Sequence, residues 1–344
     1  MPVTREVFGT TRDGRTVERL TLRCGALEAE ILTFGATVRA LRVPDRSGKS
    51  VDVVLGYNSV AGYEQNDGYL GALVGRYANR IANASFRIDG EYIALVANEG
   101  KKQLHGGPKG FSHCVFEAEI VGESAVALRY VSPDGEGGYP GTLTLCATYT
   151  LTERGLVLRY EAESDRTTHC NITNHSYFNL NGEGDILQHV LEIEADQFTP
   201  VDGDSIPAAM AVSVEGTAFD FRKAKPVGQD LFRDEEQLKH TGGYDHNYVL
   251  TPAQGLRRAA TLMGEHSGIV METWTEKPGV QFYCGNFLDT NADTKCGQPY
   301  TKRQGLCLET QFFPDSPNHS EWGDILLRPG HRYDYTTEYR FSVR

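Results

Sequence analysis

The sequence predicts an all-β protein built as one large antiparallel sandwich with few short helices. Three observations lead to this prediction. Runs that alternate apolar and polar residues recur along the chain, as half-buried strands require. The 37 glycines and 14 prolines separate these runs at intervals typical of all-β proteins. Long helical periodicity and strand–helix alternation are both missing, which argues against a parallel α/β sheet. We expect a single domain over residues 1–344.

The alternating runs give the expected strands in chain order. The clearest of them lie at 27–31, 86–95, 149–160, 191–194 and 339–344. In the second run Asp89-Gly90 separates two apolar halves, which is a hairpin signature. In the third run a Glu-Arg-Gly turn occupies residues 153–155. Helical patterns are confined to Val60–Gln65 and the stretch 230–239, and both are short.

Composition limits the partners that the protein can bind. The net charge is −12, from 34 Lys and Arg against 46 Asp and Glu, so no basic face for nucleic acid or anionic lipid is indicated. The N-terminus lacks an apolar signal region, and no run of about 18 apolar residues occurs. Seven cysteines lie far apart without C-x-x-C spacing, as expected for buried free thiols in a reducing cytosol. We expect a soluble cytoplasmic protein with neither nucleic acid nor membrane as a partner.

Several segments break the strand pattern because they place ionisable or amide groups among apolar neighbours. They are GRYANRIANASF (75–86), QLHGG (103–107), TNHSYFNL (173–180), GGYDHNYVL (242–250), VQFYCGNF (280–287) and GLCLETQFFPDSPNH (305–319). The third segment, read as a strand, has a face made wholly of hydrogen-bonding groups. That face consists of Asn171, Thr173, His175, Tyr177 and Asn179. An ordinary half-buried strand turns its polar face to solvent and charges it, so we interpret this face as the lining of a cleft.

Glu309 is the hardest of these residues to explain by structure alone. It lies between Leu308 and Thr310 in a run otherwise fit for a core, and a buried carboxylate costs several kcal/mol unless it is partnered. The other residues have structural alternatives, such as a satisfied core histidine, a buried ion pair for Arg80 and a turn position for Asp245. Taken together, the segments supply two imidazoles, two carboxylates, a guanidinium and amides, a set that suits a neutral polyol.

The motifs that are missing narrow the chemistry. No H-E-x-x-H, His-x-His or Cys/His cluster indicates a metal site. No G-x-x-x-x-G-K-[ST] and no helix-opening G-x-G-x-x-G indicates a nucleotide cofactor. No G-x-S-x-G elbow indicates acyl transfer. The sequence therefore favours acid–base chemistry on a sugar, with no cofactor and no metal.

The same six segments, in this order, resemble the motifs of the aldose 1-epimerases, the galactose mutarotases. They span residues 75–319, and the flanking strands fit the same fold. The resemblance implies a galactose mutarotase-like β-supersandwich that interconverts the α and β anomers of free aldohexoses such as galactose and glucose, as a monomer or homodimer. By position it implies that Glu309 is the catalytic base and His175 the catalytic acid. It also implies sugar contacts from Asn79, Arg80, His105, Asp245 and Gln281, with Tyr177 as a further addition.

The two implied catalytic residues suit the reaction. Ionised Glu309 is expected to take the proton from O1 of the sugar while protonated His175 gives one to the ring oxygen O5, and the roles reverse on reclosure. An imidazole titrates at about 6.5 when unperturbed, and a glutamate at about 4.3 becomes a better base if burial raises its pKa.

Three other functions stay open from the sequence. A hexose-6-phosphate 1-epimerase shares the chemistry but needs basic residues around the phosphate, for which the segments supply chiefly Arg76 and Arg80. A glycoside hydrolase would use two carboxylates, conceivably Glu309 and Asp245, at a fixed separation. A non-catalytic carbohydrate-binding module would need aromatic platforms and amides but has no use for Glu309 opposite a histidine.

Overall fold

The computed structural model describes residues 2–65, 68–291 and 293–344. Within these ranges the chain forms 27 short strands, joined by antiparallel pairings, and two α-helices. The helices are α1 (Val60–Gln65) and α2 (Glu236–Thr241), six residues each. A membrane-spanning helix needs about 20 residues, so neither of these crosses a bilayer, and the described part of the chain holds no helix that does.

The strands follow one another with few interruptions. The first fourteen are β1 (Thr4–Thr10), β2 (Thr16–Cys24), β3 (Leu27–Leu32), β4 (Thr37–Pro44), β5 (Ser50–Asp52), β6 (Leu73–Val74), β7 (Arg80–Ile81), β8 (Ser85–Ile88), β9 (Glu91–Ala94), β10 (Gln103–Leu104), β11 (Glu117–Gly122), β12 (Ala125–Ser132), β13 (Leu143–Thr152) and β14 (Gly155–Ser164). The others are β15 (Thr168–His169), β16 (Thr173–Asn174), β17 (Val190–Ile193), β18 (Gln197–Phe198), β19 (Val212–Ser213), β20 (Lys225–Pro226), β21 (Asp245–Val249), β22 (Arg257–Met263), β23 (Ile269–Thr275), β24 (Gly279–Tyr283), β25 (Cys307–Gln311), β26 (Leu326–Leu327) and β27 (Tyr333–Val343).

Three sheets organise the molecule. A nine-stranded sheet runs in the order β11-β12-β13-β14-β27-β23-β22-β17-β20, and a five-stranded sheet contains β1 to β5 in sequence order. A second five-stranded sheet has the order β19-β18-β21-β24-β25. The remaining strands form four two-stranded pairs. The prediction of an all-β, antiparallel sandwich with few short helices is confirmed.

The core lies between these sheets because their strands alternate as the sequence predicts. In β13 the residues Leu143, Leu145, Ala147, Tyr149 and Leu151 are buried, while those between them are partly exposed or exposed. Burying one large apolar side chain contributes about 1.5–3 kcal/mol to the free energy of folding, so this strand stabilises the fold substantially. One hydrophobic cluster joins residues from all three sheets and runs from Val3 to Tyr339 along the chain. That cluster supports a single domain, which stays a prediction.

Most local predictions are confirmed, with one clear exception. Helices form at both predicted places, and β8 and β9 form a hairpin around Asp89-Gly90. The segment TNHSYFNL is not the strand that we expected, since only Thr173–Asn174 pairs as one, with β6. Residues 168–180 are all buried, so this segment has no solvent face and its alternation carries no information about exposure.

Candidate active site

A cavity of about 360 Å³ opens beside the sheet that contains β21, β24 and β25. Its walls come from eight separate stretches of the chain, and most of the lining side chains are polar or aromatic. The described residues that line it are Tyr57, Gln65, Gly68, Tyr69, Asn79, Arg80, Glu99, Leu104, His105, His175, Tyr177, Asp245, Tyr283, Phe287, Leu288, Asp289, Thr290, Asn291 and Glu309. Seven of the eight predicted site residues are therefore brought together here.

The strand register places the two acidic residues. Asp245, Tyr283 and Cys307 stand opposite one another across β21, β24 and β25. Two pairs further along, Gln281 stands opposite Glu309. Because side chains two residues apart on a strand share a face, Cys307 and Glu309 lie on the same face of β25. Every residue of β25 is buried, so Glu309 sits in the core-like run that the sequence indicated.

His175 faces Glu309 from a different segment. Its backbone is held by hydrogen bonds in which the His175 N–H donates to Ala72 O and the Gly71 N–H donates to His175 O. The His175 Nε2 lies 3.6 Å from Glu309 Oε1, and the two side chains are 6% and 3% exposed. The other ring nitrogen, Nδ1, contacts the Cys307 sulfur at 3.5 Å. The predicted acid and base are therefore adjacent and buried.

One carboxylate oxygen of Glu309 lacks a partner. Among residues 2–65, 68–291 and 293–344, no side chain or backbone group makes a hydrogen bond to the buried Oε2. A buried polar atom left unpaired costs about 1–3 kcal/mol, so proteins rarely keep one without a use. Glu309 therefore carries an unsatisfied acceptor in a side chain that lines the cavity.

Burial shifts both groups of the pair toward their neutral forms. The pKa of Glu309 is raised well above its usual value, chiefly by burial and also by the charge of Asp245, while Arg80 lowers it. Burial lowers the pKa of His175 from 6.5 to about 4. The raised pKa of Glu309 agrees with the expectation for a base. The pKa of His175 lies below the unperturbed imidazole value of about 6.5, because aromatic rings and strand β25 remove it from solvent.

His105 is fixed in one tautomer by the chain around it. The Asn79 N–H donates to His105 Nδ1 at 3.1 Å, so Nδ1 is unprotonated and a neutral ring carries its proton on Nε2. Burial, together with the nearby His175 and Arg80, holds the pKa of His105 well below 6.5. Tyr69, Asn79 and His105 all have left-handed backbone, with φ of 56°, 67° and 52°. Strain of this kind, about 1–3 kcal/mol at each residue, is concentrated at functional sites.

Arg80 is held between two carboxylates. Its Nε and Nη2 donate to Glu99 at 2.7 and 2.9 Å, and its Nη1 lies 3.9 Å from Asp245 Oδ2. The Asp245 Oδ1 accepts a hydrogen bond of 2.7 Å from Gln281 Nε2. Arg80 therefore forms the ion pair that was the structural alternative for this residue. The same side chain also lines the cavity.

Gln281 is the one predicted site residue that does not line the cavity. It is buried behind Asp245, to which it donates, and it accepts from Gln311 Nε2 at 3.4 Å. In this position Gln281 orients the Asp245 carboxylate. A direct sugar contact from Gln281 stays a prediction from the resemblance.

Other polar residues singled out by sequence serve the fold. Of the expected polar face, only His175 and Tyr177 line the cavity, whereas Asn171 and Asn179 donate to backbone carbonyls. A Cβ at Gly106 would lie 2.0 Å from Gly75 O, so this glycine permits close packing of two loops rather than close approach to a ligand. Arg76 is buried outside the cavity and donates to Pro140 O and Gly141 O.

Several lining residues were not predicted from the sequence. The main ones are Tyr57, Tyr69, Glu99, Phe287, Asp289 and Asn291. Phe287 is the last residue of the segment VQFYCGNF, although its role was not predicted. The others lie in loops without periodic patterns, so the sequence gives no signal beyond their closeness to the predicted segments. Aromatic rings surround the two histidines, with ring centroids of Tyr69 and His105 4.7 Å apart and those of His175 and Tyr177 5.1 Å apart.

Three of the lining groups have the chemistry of metal ligands. One ligand atom each from His105, His175 and Glu309 lie within 4.8 Å of one another. Two imidazoles and a carboxylate are a set that zinc accepts. Sequence reasoning predicted no metal here, and the absence of a metal from the reaction stays a prediction.

Comparison with known proteins identifies the relatives of this chain. The family model described as aldose 1-epimerase matches residues 18–340. A galactose mutarotase from Bos taurus is 46% identical over 99% of both chains, and an aldose 1-epimerase from Escherichia coli (strain K12) is 40% identical over 96% of both. A crystal structure of an aldose epimerase homologue from C. elegans aligns with a TM-score of 0.87 at 32% identity, covering 94% of this chain and 99% of its own.

A crystal structure of galactose 1-epimerase from Lactobacillus acidophilus NCFM also aligns with a TM-score of 0.87, at 30% identity, and covers 100% of this chain and 99% of its own. The family model and these relatives cover nearly the whole chain. The six ordered segments, the match over residues 18–340 and the identities of 40–46% show that this chain belongs to the aldose 1-epimerase family.

Proposed function

We propose that the protein is an aldose 1-epimerase, an isomerase that interconverts the α and β anomers of free aldohexoses such as galactose and glucose. The observation that supports this most strongly is the buried Glu309 carboxylate, whose Oε1 lies 3.6 Å from His175 Nε2 and whose Oε2 has no hydrogen-bond partner. Mutarotation requires a base and an acid that act on one sugar ring at the same time, and this pair supplies both without a nucleophile. The proposed sugar contacts come from Asn79, Arg80, His105, Tyr177 and Asp245, all of which line the cavity.

The reaction proceeds through an open-chain aldehyde. Glu309 takes the proton from the anomeric hydroxyl O1 while His175 gives a proton to the ring oxygen, and the C1–O5 bond breaks. Rotation about C1–C2 presents the other face of the aldehyde. Reclosure returns the proton from Glu309 to O1 and the other proton from O5 to His175, so nothing is oxidised and no group is transferred.

The two residues hold one proton between them in the working state. Without substrate, burial favours a neutral Glu309 and a neutral His175. A sugar hydroxyl that donates to Glu309 stabilises the carboxylate, and the ring oxygen accepts from the imidazolium. Substrate binding therefore favours transfer of the shared proton from Glu309 to His175, which assembles the charged pair that the reaction needs.

The function is tested by polarimetry of freshly dissolved α-galactose. We expect the optical rotation to reach its equilibrium value faster with the protein than without it, in proportion to enzyme concentration. The same assay with glucose 6-phosphate separates this function from a hexose-6-phosphate epimerase. Acceleration with the phosphate alone, or with neither sugar, would contradict the proposal.

The dependence of turnover on pH should be bell-shaped. As pH falls through the lowered pKa of His175, near 4, the pair binds a second proton and Glu309 is no longer a base. As pH rises through the raised pKa of Glu309, the pair loses its last proton and His175 is no longer an acid. The measurement is kcat/KM for galactose against pH. A rate that rises as a single step near pH 6.5 would show that an ordinary histidine, not this pair, limits the reaction.

Replacement of Asp245 should weaken binding more than chemistry. Asp245 is held by Gln281 and faces Arg80, so it is placed to accept from sugar hydroxyls but not to move a proton. We expect Asp245→Asn to raise KM for galactose on the order of tenfold, because a charged acceptor is lost, with a smaller change in kcat. Initial rates by polarimetry give both constants. A fall in kcat as large as that of a Glu309 variant would instead place Asp245 in the proton transfer.

The site supports the rival functions less well. A glycoside hydrolase that used Glu309 and Asp245 would need both carboxylates free, but the oxygens of Asp245 face Gln281 and Arg80. A binding module would gain nothing from an unpaired Glu309 Oε2. A phosphate site would need basic residues, and Arg80 is the one lysine or arginine among the described residues of the lining.

We also propose that the protein works in the cytosol. All seven cysteines are free, which is usual in a reducing compartment. A monomeric or homodimeric state stays a prediction.

A further inference from the structure

The ion pair between Glu99 and Arg80 is a feature that the catalytic chemistry does not use. Both donors on one edge of the Arg80 guanidinium, Nε and Nη2, are bound by the two oxygens of Glu99 at 2.7 and 2.9 Å. This two-point geometry is the most favourable one for an arginine and a carboxylate. Glu99 itself lines the cavity and keeps 35% of its side chain exposed.

The loop that carries Glu99 is held by several hydrogen bonds. The Asn98 side chain joins the two ends of this loop. Its Oδ1 accepts from Leu104 N–H at 2.7 Å, and its Nδ2 donates to Leu104 O at 3.0 Å. Glu99 and Lys102 exchange backbone hydrogen bonds, and Leu104 is paired with Arg80 across β10 and β7. Glu99 is therefore presented to Arg80 by a rigid turn, directly before the loop that holds His105.

Acidic residues outnumber basic residues in the cavity lining. The lining includes four acidic residues, Glu99, Asp245, Asp289 and Glu309, while Arg80 is the one arginine or lysine among the described residues that form it. The Glu99 carboxylate pairs with that cation along its two-donor edge, and it also lies 3.4 Å from the Nζ of Lys102, which is outside the lining. Because charges in a partly buried cavity are screened less than charges in bulk water, one carboxylate in this position should affect the binding of a charged ligand.

We propose that Glu99 is a specificity-determining residue that restricts the site to uncharged sugars by occupying Arg80 and excluding sugars that carry a carboxylate or phosphate. This inference rests on the proposed function and names the substrate class of the same site. A neutral hexose meets one free edge of Arg80 and carboxylates that accept from its hydroxyls. An anionic sugar meets a guanidinium already paired and three further acidic side chains.

The test compares D-galactose with D-galacturonate, which has the same hydroxyl configuration but a carboxylate at C6. For the parent and Glu99→Gln we would measure kcat/KM for both sugars by polarimetry. We expect Glu99→Gln to raise the galacturonate-to-galactose ratio on the order of tenfold, because one negative charge is removed and an edge of Arg80 is released. High salt should raise this ratio more in the parent than in the variant, because screening weakens the repulsion by Glu99.

Two controls separate this effect from others. Glu91→Gln removes the same charge from exposed strand β9, outside the cavity lining, and should leave the ratio unchanged. Glu99→Asp keeps the charge and should hold the ratio near the parent value even if Arg80 shifts. A ratio that is unaltered in Glu99→Gln, or that rises equally in Glu91→Gln, would overturn the proposal.

Binding measurements distinguish this inference from the function on which it rests. Calorimetric Kd values for the two sugars give the same ratio without turnover. If the parent binds galactose but does not epimerise it, the proposed function fails while the Glu99 comparison still gives an answer. If the parent turns over galactose and Glu99→Gln discriminates against galacturonate as strongly as the parent, only the role of Glu99 fails.

Discussion

Glu309→Gln is expected to abolish most turnover while leaving sugar binding largely intact. The amide has the shape of the carboxylate but cannot take the proton from O1, and a positioned base contributes about 10²–10⁴-fold in rate. We therefore expect kcat for α-galactose to fall by about that factor, with Kd for galactose changed by less than about tenfold. Polarimetry gives the first quantity and calorimetry the second.

The stability of the variant serves as the control for misfolding. Glu309 is buried with one oxygen unpartnered and its pKa raised well above normal, so ionising it in the fold is costly. The neutral amide removes that cost, and we expect a melting temperature of Glu309→Gln no lower than that of the parent. A stable variant that keeps the parent kcat would show that Glu309 is not the base.

His175→Asn should have the second large effect. Asparagine is polar and fits the same space, but it cannot deliver a proton to the ring oxygen, so we expect kcat to fall by about 10²–10⁴-fold. The acid-side limb of the pH profile, near pH 4 in the parent, should disappear with the imidazole. The measurement is residual kcat across the pH range by polarimetry.

His169 supplies a matched control for this variant. It is also buried, burial lowers its pKa to about 4, and it lies outside the cavity lining. We expect His169→Asn to keep kcat near the parent value. Equal losses in the two variants would mean that buried histidines act through stability, and that His175 has no special role in proton transfer.

Much of the fold could be predicted because strands and turns depend on residues that are close together in the sequence. Alternation in β13 and β14 and the turn at 153–155 each follow from side-chain period and turn chemistry, and the structure contains all of them. The segment TNHSYFNL was misread for a physical reason. Alternation reports burial only where one face meets water, and here both faces are covered by other parts of the chain.

From the residues themselves, the site could be predicted only where a charged or polar side chain stands among apolar sequence neighbours. Glu309 could be identified because a carboxylate in an apolar strand is costly unless it has a partner or a function. Glu99 could not, since a charged residue in a polar loop is ordinary until Arg80 is seen beside it. The low pKa of His175 was equally hidden, because it arises from burial by segments distant in sequence.

The central claim is that Glu309 and His175 act together on one anomeric centre, and a crystal structure of Glu309→Gln with bound galactose tests it most directly. We predict that O1 of the sugar lies within about 2.6–3.2 Å of the side chain at position 309 and the ring oxygen within the same distance of His175 Nε2. Galactose bound in the cavity with its anomeric carbon out of reach of both His175 Nε2 and the side chain at position 309 would contradict the account.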